Sequence, residues 1–270
     1  MKYDFGFIGT GAMGGALAEA VSKNSEGYSV LLNDKDSKKA SVLAEKIGAD
    51  FGNLKDVISE CKYIFLGVKP QMLEGLFSEI GDALSKRNGR FILVSMAAGT
   101  SIEKIQTLAG FKYPVIRIMP NLPCSVGKGL TMVSRSGEVT DEELAVFLKA
   151  MEKSGAVDEI PEGLIDVGSA LSGSGPAFAF MMIEALADGA VSCGFPRDKA
   201  YKYAAEMLIG SAELMLVTNK SPSALKDSVC SPKGTTIEGV RALEKGSFRS
   251  SVFEAVVATY EKTQKINKGK

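Results

Sequence analysis

The spacing of apolar positions divides the chain into two textures. Up to about residue 160, short β-branched or aromatic runs alternate with segments whose apolar residues recur at helical spacing, the rhythm of successive βα units around a parallel sheet. The runs predict strands at 5–8, 29–33, 63–66, 91–94, 115–119, 130–134 and 156–160. The intervening segments predict helices at 13–22, 37–47, 54–59, 71–84, 102–108 and 141–151. This is the pattern of an α/β fold with a doubly wound sheet. Beyond Pro161 no β-rich run follows, and apolar helical segments at 177–191, 199–217, 223–228, 236–245 and 247–264 predict an all-α second domain, giving boundaries at 1–160 and 161–270.

Two of these later helices carry apolar residues around nearly their whole circumference. One holds Phe178, Phe180, Met181, Met182, Ile183 and Leu186; the other holds Met207, Leu208, Ile209, Leu214, Met215 and Leu216. Such helices need cover on every side. A domain of about 110 residues is too small to bury two of them by itself, so a second copy of the chain is expected to supply the cover. The second domain is thus expected to be a dimerisation domain, and the protein a homodimer or higher homo-oligomer.

Composition narrows the partner. The chain has 32 basic and 32 acidic residues and no long run of either sign, so it lacks the electrostatic footprint for nucleic acid or an anionic membrane, and a small-molecule partner is expected. The first ten residues show no secretory signal, which predicts a cytoplasmic protein. The most apolar stretch, 177–191, is interrupted by Glu184 and Asp188 and falls short of the roughly 20 residues a bilayer span needs, so no transmembrane segment is expected. Cys61, Cys124, Cys193 and Cys230 are far apart and form no CxxC pair, which predicts buried thiols rather than disulfides or a zinc site. There is no histidine, so any chemistry must proceed without imidazole, and no metal is expected.

The most informative motif is Gly9-Thr10-Gly11-Ala12-Met13-Gly14, a GxGxxG placed directly after the first predicted strand and opening the first helix. In that setting Gly9 permits the tight turn, Gly11 lets the backbone approach a pyrophosphate, and Gly14 lets helix pack closely on strand, the helix N-terminus facing the phosphates. The motif makes the first domain a Rossmann-type dinucleotide-binding unit. About 20 residues further on, Asp34 is placed to accept from the adenine ribose hydroxyls, which favours NADH. Lys35, Lys38 and Lys39 could instead balance the 2′-phosphate of NADPH, so the two cofactors stay open.

Later strands of such a sheet end at the same crevice. Val68-Lys69-Pro70, Ala97-Ala98-Gly99 and Asn121 are therefore further cofactor candidates, Asn121 being equally readable as a satisfied amide in a proline-rich turn. In the helical domain, residues 225–237 join two helices through Pro232 and Gly234. The next helix opens on Thr235 and Thr236, an arrangement that can be a plain N-cap or a cradle for a small carboxylate.

From its first strand to its last long helix the chain resembles the pyrroline-5-carboxylate reductase family. The resemblance rests on residues 7–14, on Val68-Lys69-Pro70, Ala97-Ala98-Gly99 and Met119-Pro120-Asn121, and on segments 171–177 and 226–237, in order and spacing. It implies reduction of 1-pyrroline-5-carboxylate to L-proline by NADPH or NADH. By the same resemblance, Ser231 and the backbone amides from Gly234 through Thr235 to Thr236 would hold the substrate carboxylate, and the Thr236 hydroxyl would bond the ring nitrogen. Residues 68–70 and 97–99 would flank the nicotinamide, Asn53 would touch the adenosine portion, and segment 171–177 would link the domains and wall the pocket.

Two departures stand out. Asp34-Lys35 replaces an Asn-Arg pair common in the family, and Asn219 stands where some members have glutamate, so no catalytic carboxylate is assigned there. The competing readings are a β-hydroxyacid dehydrogenase or imine reductase, which would rely on Lys226 or Lys199, and a non-catalytic dinucleotide sensor, which would not need the 231–236 loop.

Overall fold

The computed structural model describes residues 1–267 and resolves into two compact units. The first comprises Met1–Ser174 together with the described residues from Tyr260 onward; the second is Gly175–Thr259.

The first unit is built on eight strands: β1 (Tyr3–Ile8), β2 (Val30–Asn33), β3 (Asp50–Phe51), β4 (Cys61–Leu66), β5 (Ile92–Ser95), β6 (Val115–Met119), β7 (Gly129–Arg135) and β8 (Gly155–Glu159). They lie in the order β3-β2-β1-β4-β5-β6-β7-β8. All pairs from β3 to β6 are parallel. A parallel sheet is covered on both faces, which is why its strands read as continuous apolar runs. Along β4, Tyr63 and Phe65 enter one core cluster while Ile64 and Leu66 enter the other.

The first cluster packs α1 (Ala12–Ser22), α2 (Ser37–Ile47) and α6 (Asp141–Met151) on the sheet. Stacked ring pairs at its centre join Phe5 to Tyr63, with centroids 4.9 Å apart, and Phe7 to Phe65 at 4.2 Å. The Tyr63 hydroxyl, buried among these rings, donates to the Glu143 carbonyl at 2.7 Å. The second cluster packs α3 (Leu54–Glu60), α4 (Leu73–Ser85) and α5 (Ile102–Ala109) on the opposite face.

Most expected elements form where the pattern puts them, with ends shifted by a few residues. Three features depart from the expectation. The two-residue strand β3 was not foreseen, being exposed and too short for any period. Strand β7 runs antiparallel to β6, with β8 parallel to β7, so the sheet is parallel only through β6. The cause is the connection: residues 120–128 are too few for the crossover of a dozen or more that a parallel neighbour requires.

The third departure is in residues 162–174, where no element was expected. A 3-10 turn at Glu162–Leu164, α7 (Ile165–Gly168) and a π turn at Ser169–Gly173 lead directly into α8 (Gly175–Ser192). The root of this segment is fixed by Arg117 of β6, which is 5% exposed and donates to Glu162 at 3.1 Å and Asp166 at 2.6 Å. Counted through, Glu162–Ser192 is a helical run of 31 residues that contains an 18-residue window with a mean hydropathy of 1.3, long and apolar enough by composition to cross a membrane. That corrects the expectation that no segment reaches such a length, which came from starting the helix at residue 177. Only 11% of the run's apolar window is buried within the chain.

The second unit holds α8 with α9 (Arg197–Thr218), α10 (Pro222–Ser228), α11 (Thr235–Lys245) and α12 (Phe248–Asn267) as far as Thr259. Helix α9 ends on Asn219 in the left-handed region at φ 51°, a conformation that asparagine tolerates better than glutamate does. A groove of about 620 Å³, lined by Phe178, Met181, Leu186, Met207 and Phe248 among others, opens on this unit. The thiols divide: Cys61 and Cys124 are buried as expected, Cys230 is half-buried, and Cys193 is exposed just past α8, a helix that this chain alone leaves uncovered.

Candidate active site

In the first unit the C-terminal ends of the parallel strands share one edge, since Ile8 is in register with Asn33 and Leu66, and Leu66 with Ser95. Strand β1 has β2 on one side and β4 on the other, so the connections that leave the ends of β1 and β4 run to opposite sides of the sheet. This edge gathers residues 9–14, Asp34, residues 68–70 and 97–99, and Asn121.

The turn after β1 is packed backbone against backbone. Gly9 has φ 97°, and a Cβ there would lie 2.5 Å from the Gly67 carbonyl oxygen. A Cβ on Gly14, in the first turn of α1, would collide with the Gly9 carbonyl oxygen. Gly11 is different: it is the N-cap of α1, makes no side-chain cap, and has nothing within 4 Å of where its Cβ would be. The helix start therefore faces open space with its first N–H groups unclosed, which fits a pyrophosphate. Ala12 is exposed and Met13 packs into the first core cluster. Gly67 escaped the sequence reading; a glycine ending an apolar run was the available signal.

Asp34, one residue past β2, accepts from the Thr10 N–H at 2.7 Å and the Thr10 hydroxyl at 3.0 Å through Oδ2, and from the Asp36 N–H at 3.1 Å through Oδ1. Burial alone would push its carboxyl up, but these bonds, with the nearby Lys39 charge, hold it below its usual range. Lys35 is exposed. Asn53 closes a capping box on α3: its side chain accepts from the Asp56 N–H at 3.0 Å, and Asp56 accepts from the Asn53 N–H at 3.0 Å. Val68 packs against the second cluster, and exposed Lys69 and Pro70 open a 3-10 turn. Ala97 is buried, Ala98 exposed, and Gly99 sits at φ 68°.

Asn121 is engaged inside the first unit. Its Oδ1 accepts from the Leu130 N–H at 2.9 Å, and its Nδ2 donates to the Ser172 carbonyl at 3.1 Å. The carboxamide thus braces the π turn against the β6–β7 connection, and this bracing partner in residues 169–173 had no signal in the sequence.

In the second unit, Ser221 caps α10 by accepting from the Ala224 N–H at 3.3 Å. Ser231 and Gly234 then close a turn in which the Gly234 N–H donates to the Ser231 carbonyl at 2.9 Å. This corrects the expectation for Gly234, whose N–H is already used. Gly234 is the N-cap of α11 and carries no side chain to close the first-turn N–H groups of Thr235 and Thr236. A Cβ on Gly234 would collide with Ser231 Oγ, so the glycine keeps that hydroxyl against the helix start. Thr235 and Thr236 are exposed. Lys226, a candidate under the dehydrogenase reading, is ion-paired with Asp227.

Comparison with known proteins converges on these features. Residues 162–266 match the sequence model for pyrroline-5-carboxylate reductase dimerisation, and residues 4–99 match that for coenzyme F420-dependent NADP oxidoreductase. The pyrroline-5-carboxylate reductase of Escherichia coli K12 is 38% identical over 271 residues, covering 99% of this chain and 100% of that protein. Among solved structures, the pyrroline-5-carboxylate reductase of Coxiella burnetii superposes with a TM-score of 0.88 at 27% identity, covering 98% of both chains. The Plasmodium falciparum pyrroline carboxylate reductase, solved with NADP bound, does so at 0.83 and 27%, covering 99% of both. With a dinucleotide edge in its first unit, an uncapped helix start in its second, and full-length similarity of this kind, the chain belongs to the pyrroline-5-carboxylate reductase family.

Proposed function

We propose that this chain reduces 1-pyrroline-5-carboxylate to L-proline with NADPH or NADH, the last step of proline synthesis, as a cytoplasmic homo-oligomer. The observation that carries the reading is the uncapped start of α11, with the Ser231 hydroxyl against Gly234. A β-hydroxyacid dehydrogenase or imine reductase is not favoured, since the reductase relatives match the chain end to end.

A histidine-free site suits this substrate. The cyclic imine becomes an iminium on protonation, and its carbon is then electrophilic without further help, so positioning dominates over acid catalysis. The free N–H groups of Thr235 and Thr236, with the positive end of the α11 dipole and the Ser231 hydroxyl, hold the carboxylate. The Thr236 oxygen accepts from the ring N–H and fixes which ring face is presented.

On the first unit, the amides at the start of α1 hold the pyrophosphate, and Gly11 leaves the room it needs. Residues 68–70 and 97–99 flank the nicotinamide, Val68, Pro70 and the small residues Ala97, Ala98 and Gly99 giving it an apolar wall beside the Lys69 charge, and Asn53 contacts the adenosine. Asn121 shapes the edge through its bracing bonds. The reduced nicotinamide, when bound, supplies the hydride.

The assay follows NAD(P)H oxidation with pyrroline-5-carboxylate, then with 2-keto acids, and NAD(P)⁺ reduction with 3-hydroxy acids. Turnover confined to the cyclic imine is the expected result, and preferential turnover of a 2-keto or 3-hydroxy acid would reverse the reading. Thr236→Ala lowers kcat by about 10- to 100-fold, the loss of an oriented hydrogen bond worth roughly 1.5–3 kcal/mol. Unchanged kcat would remove Thr236 from the mechanism.

A further inference from the structure

Two acidic and three basic side chains follow β2, and the hydrogen bonds rank them. Only Asp34 is fixed to the dinucleotide turn. Its Oδ2 takes both the N–H and the hydroxyl of Thr10, a residue 3% exposed, and its Oδ1 takes the Asp36 N–H. An ionised carboxylate offers about four acceptor positions and no donor. Three are filled within the protein, and one on Oδ1 stays open.

We propose that Asp34, clamped by Thr10 beside the glycine turn, is the specificity-determining residue for the dinucleotide and makes NADH the preferred reductant over NADPH. The proposal rests on residues 9–14 being the cofactor edge. A free 2′-hydroxyl can donate to the open position on Oδ1. A 2′-phosphate brings only acceptor oxygens and roughly −1.5 to −2 charge, so acceptor meets acceptor and like charge meets like charge.

The three lysines do not reverse this. Lys35, Lys38 and Lys39 are all exposed, and Lys38 and Lys39 line an open groove of about 460 Å³ that they share with Thr10 and with a second carboxylate, Asp36. Their charges swing on long stems and are screened by salt, whereas the Asp34 charge is held in place. Asp36 is itself tied down as the cap of α2, accepting from the Lys39 N–H.

Calorimetric titration of the full chain with NADH and with NADPH reads the discrimination without turnover. For the wild type, the Kd for NADPH is expected to exceed that for NADH by about tenfold or more, the ratio shrinking as salt rises. Asp34→Asn keeps an oxygen for Thr10 but removes the charge, and should shift the ratio toward NADPH by about tenfold. Thr10→Val loses the hydroxyl half of the clamp while keeping the N–H half, and should shrink the ratio by less than Asp34→Asn does.

Equal or tighter NADPH binding by the wild type, or an unchanged ratio in Asp34→Asn, would overturn the proposal. So would a ratio insensitive to salt, which serves if the Asn variant does not fold. Binding of neither dinucleotide would refute the cofactor edge itself. Discrimination as expected without turnover of pyrroline-5-carboxylate would refute the reductase reading and leave this one standing.

Discussion

The two units bury their apolar residues in opposite ways. The first closes two cores around its sheet, with Phe5, Phe7, Tyr63, Phe65 and Phe147 fully enclosed. Within Gly175–Thr259, by contrast, the buried apolar side chains are Ala187, Ala200 and Ala204, while Phe180 is 56%, Met181 68% and Leu216 76% exposed. A sequence with 45% hydrophobic residues thus places its apolar surface in two different roles. In the first unit it makes a fold. In the second it makes a surface for another copy, in keeping with the dimerisation match over residues 162–266.

The sharpest way to break this contrast is a charge on the exposed apolar face. Leu186→Glu with Met207→Glu should convert the oligomer to monomer in sedimentation and abolish most activity, about 100-fold or more, with far-UV circular dichroism showing the helices retained. Were the face ordinary solvated surface, each change would stay within about 0.5 kcal/mol and leave the oligomer intact.

The complementary change is Phe65→Ala, which should cost about 3–5 kcal/mol in chemical denaturation through lost burial and a cavity beside Phe7. Its oligomeric state should not change at temperatures where it is folded, and dissociation would show that the two roles are not separable.

The smallest effect tests the polar frame of the first unit. Glu143 is held below its usual range chiefly by hydrogen bonding to Arg90 at 2.6 and 2.8 Å, against the opposing effect of burial. A lowered carboxyl contributes stability above the unfolded pKa and loses it as pH falls through the folded one. With Arg90 half exposed, Glu143→Gln should lower Tm by about 2–4 °C at pH 7. The deficit should shrink as pH falls below the unfolded carboxyl pKa of about 4.3 and vanish only below the still lower folded one. A deficit constant with pH would assign the effect to packing.

Much of this was legible in the sequence because local pattern and burial agree. Residues 63–66 read as a strand since both faces of the sheet are covered, and the glycines of 9–14 read as a dinucleotide turn since a strand precedes and a helix follows. Strand direction was not legible, because apolar runs carry no sign; the short link before β7 decided it. Residues 162–174 were hidden by Gly168, Ser169, Gly173 and Ser174, which weaken any helical pattern, and their anchor Arg117 lies 45 residues from Glu162 in sequence. At the candidate site, residue types were readable but their commitments were not. That Asp34 serves Thr10, that Asn121 braces Ser172, and that the Gly234 N–H is already bonded are facts of distance rather than of composition.

The contact between Gly9, Gly14 and Gly67 leaves main chain touching main chain, with no side-chain atom between. A surface of that kind has no adjustable part: every substitution there inserts atoms where none fit, and none can refine it. Whatever latitude evolution or an engineer has over which nucleotide this protein takes must therefore be exercised at the tip of the neighbouring strand, where side chains begin.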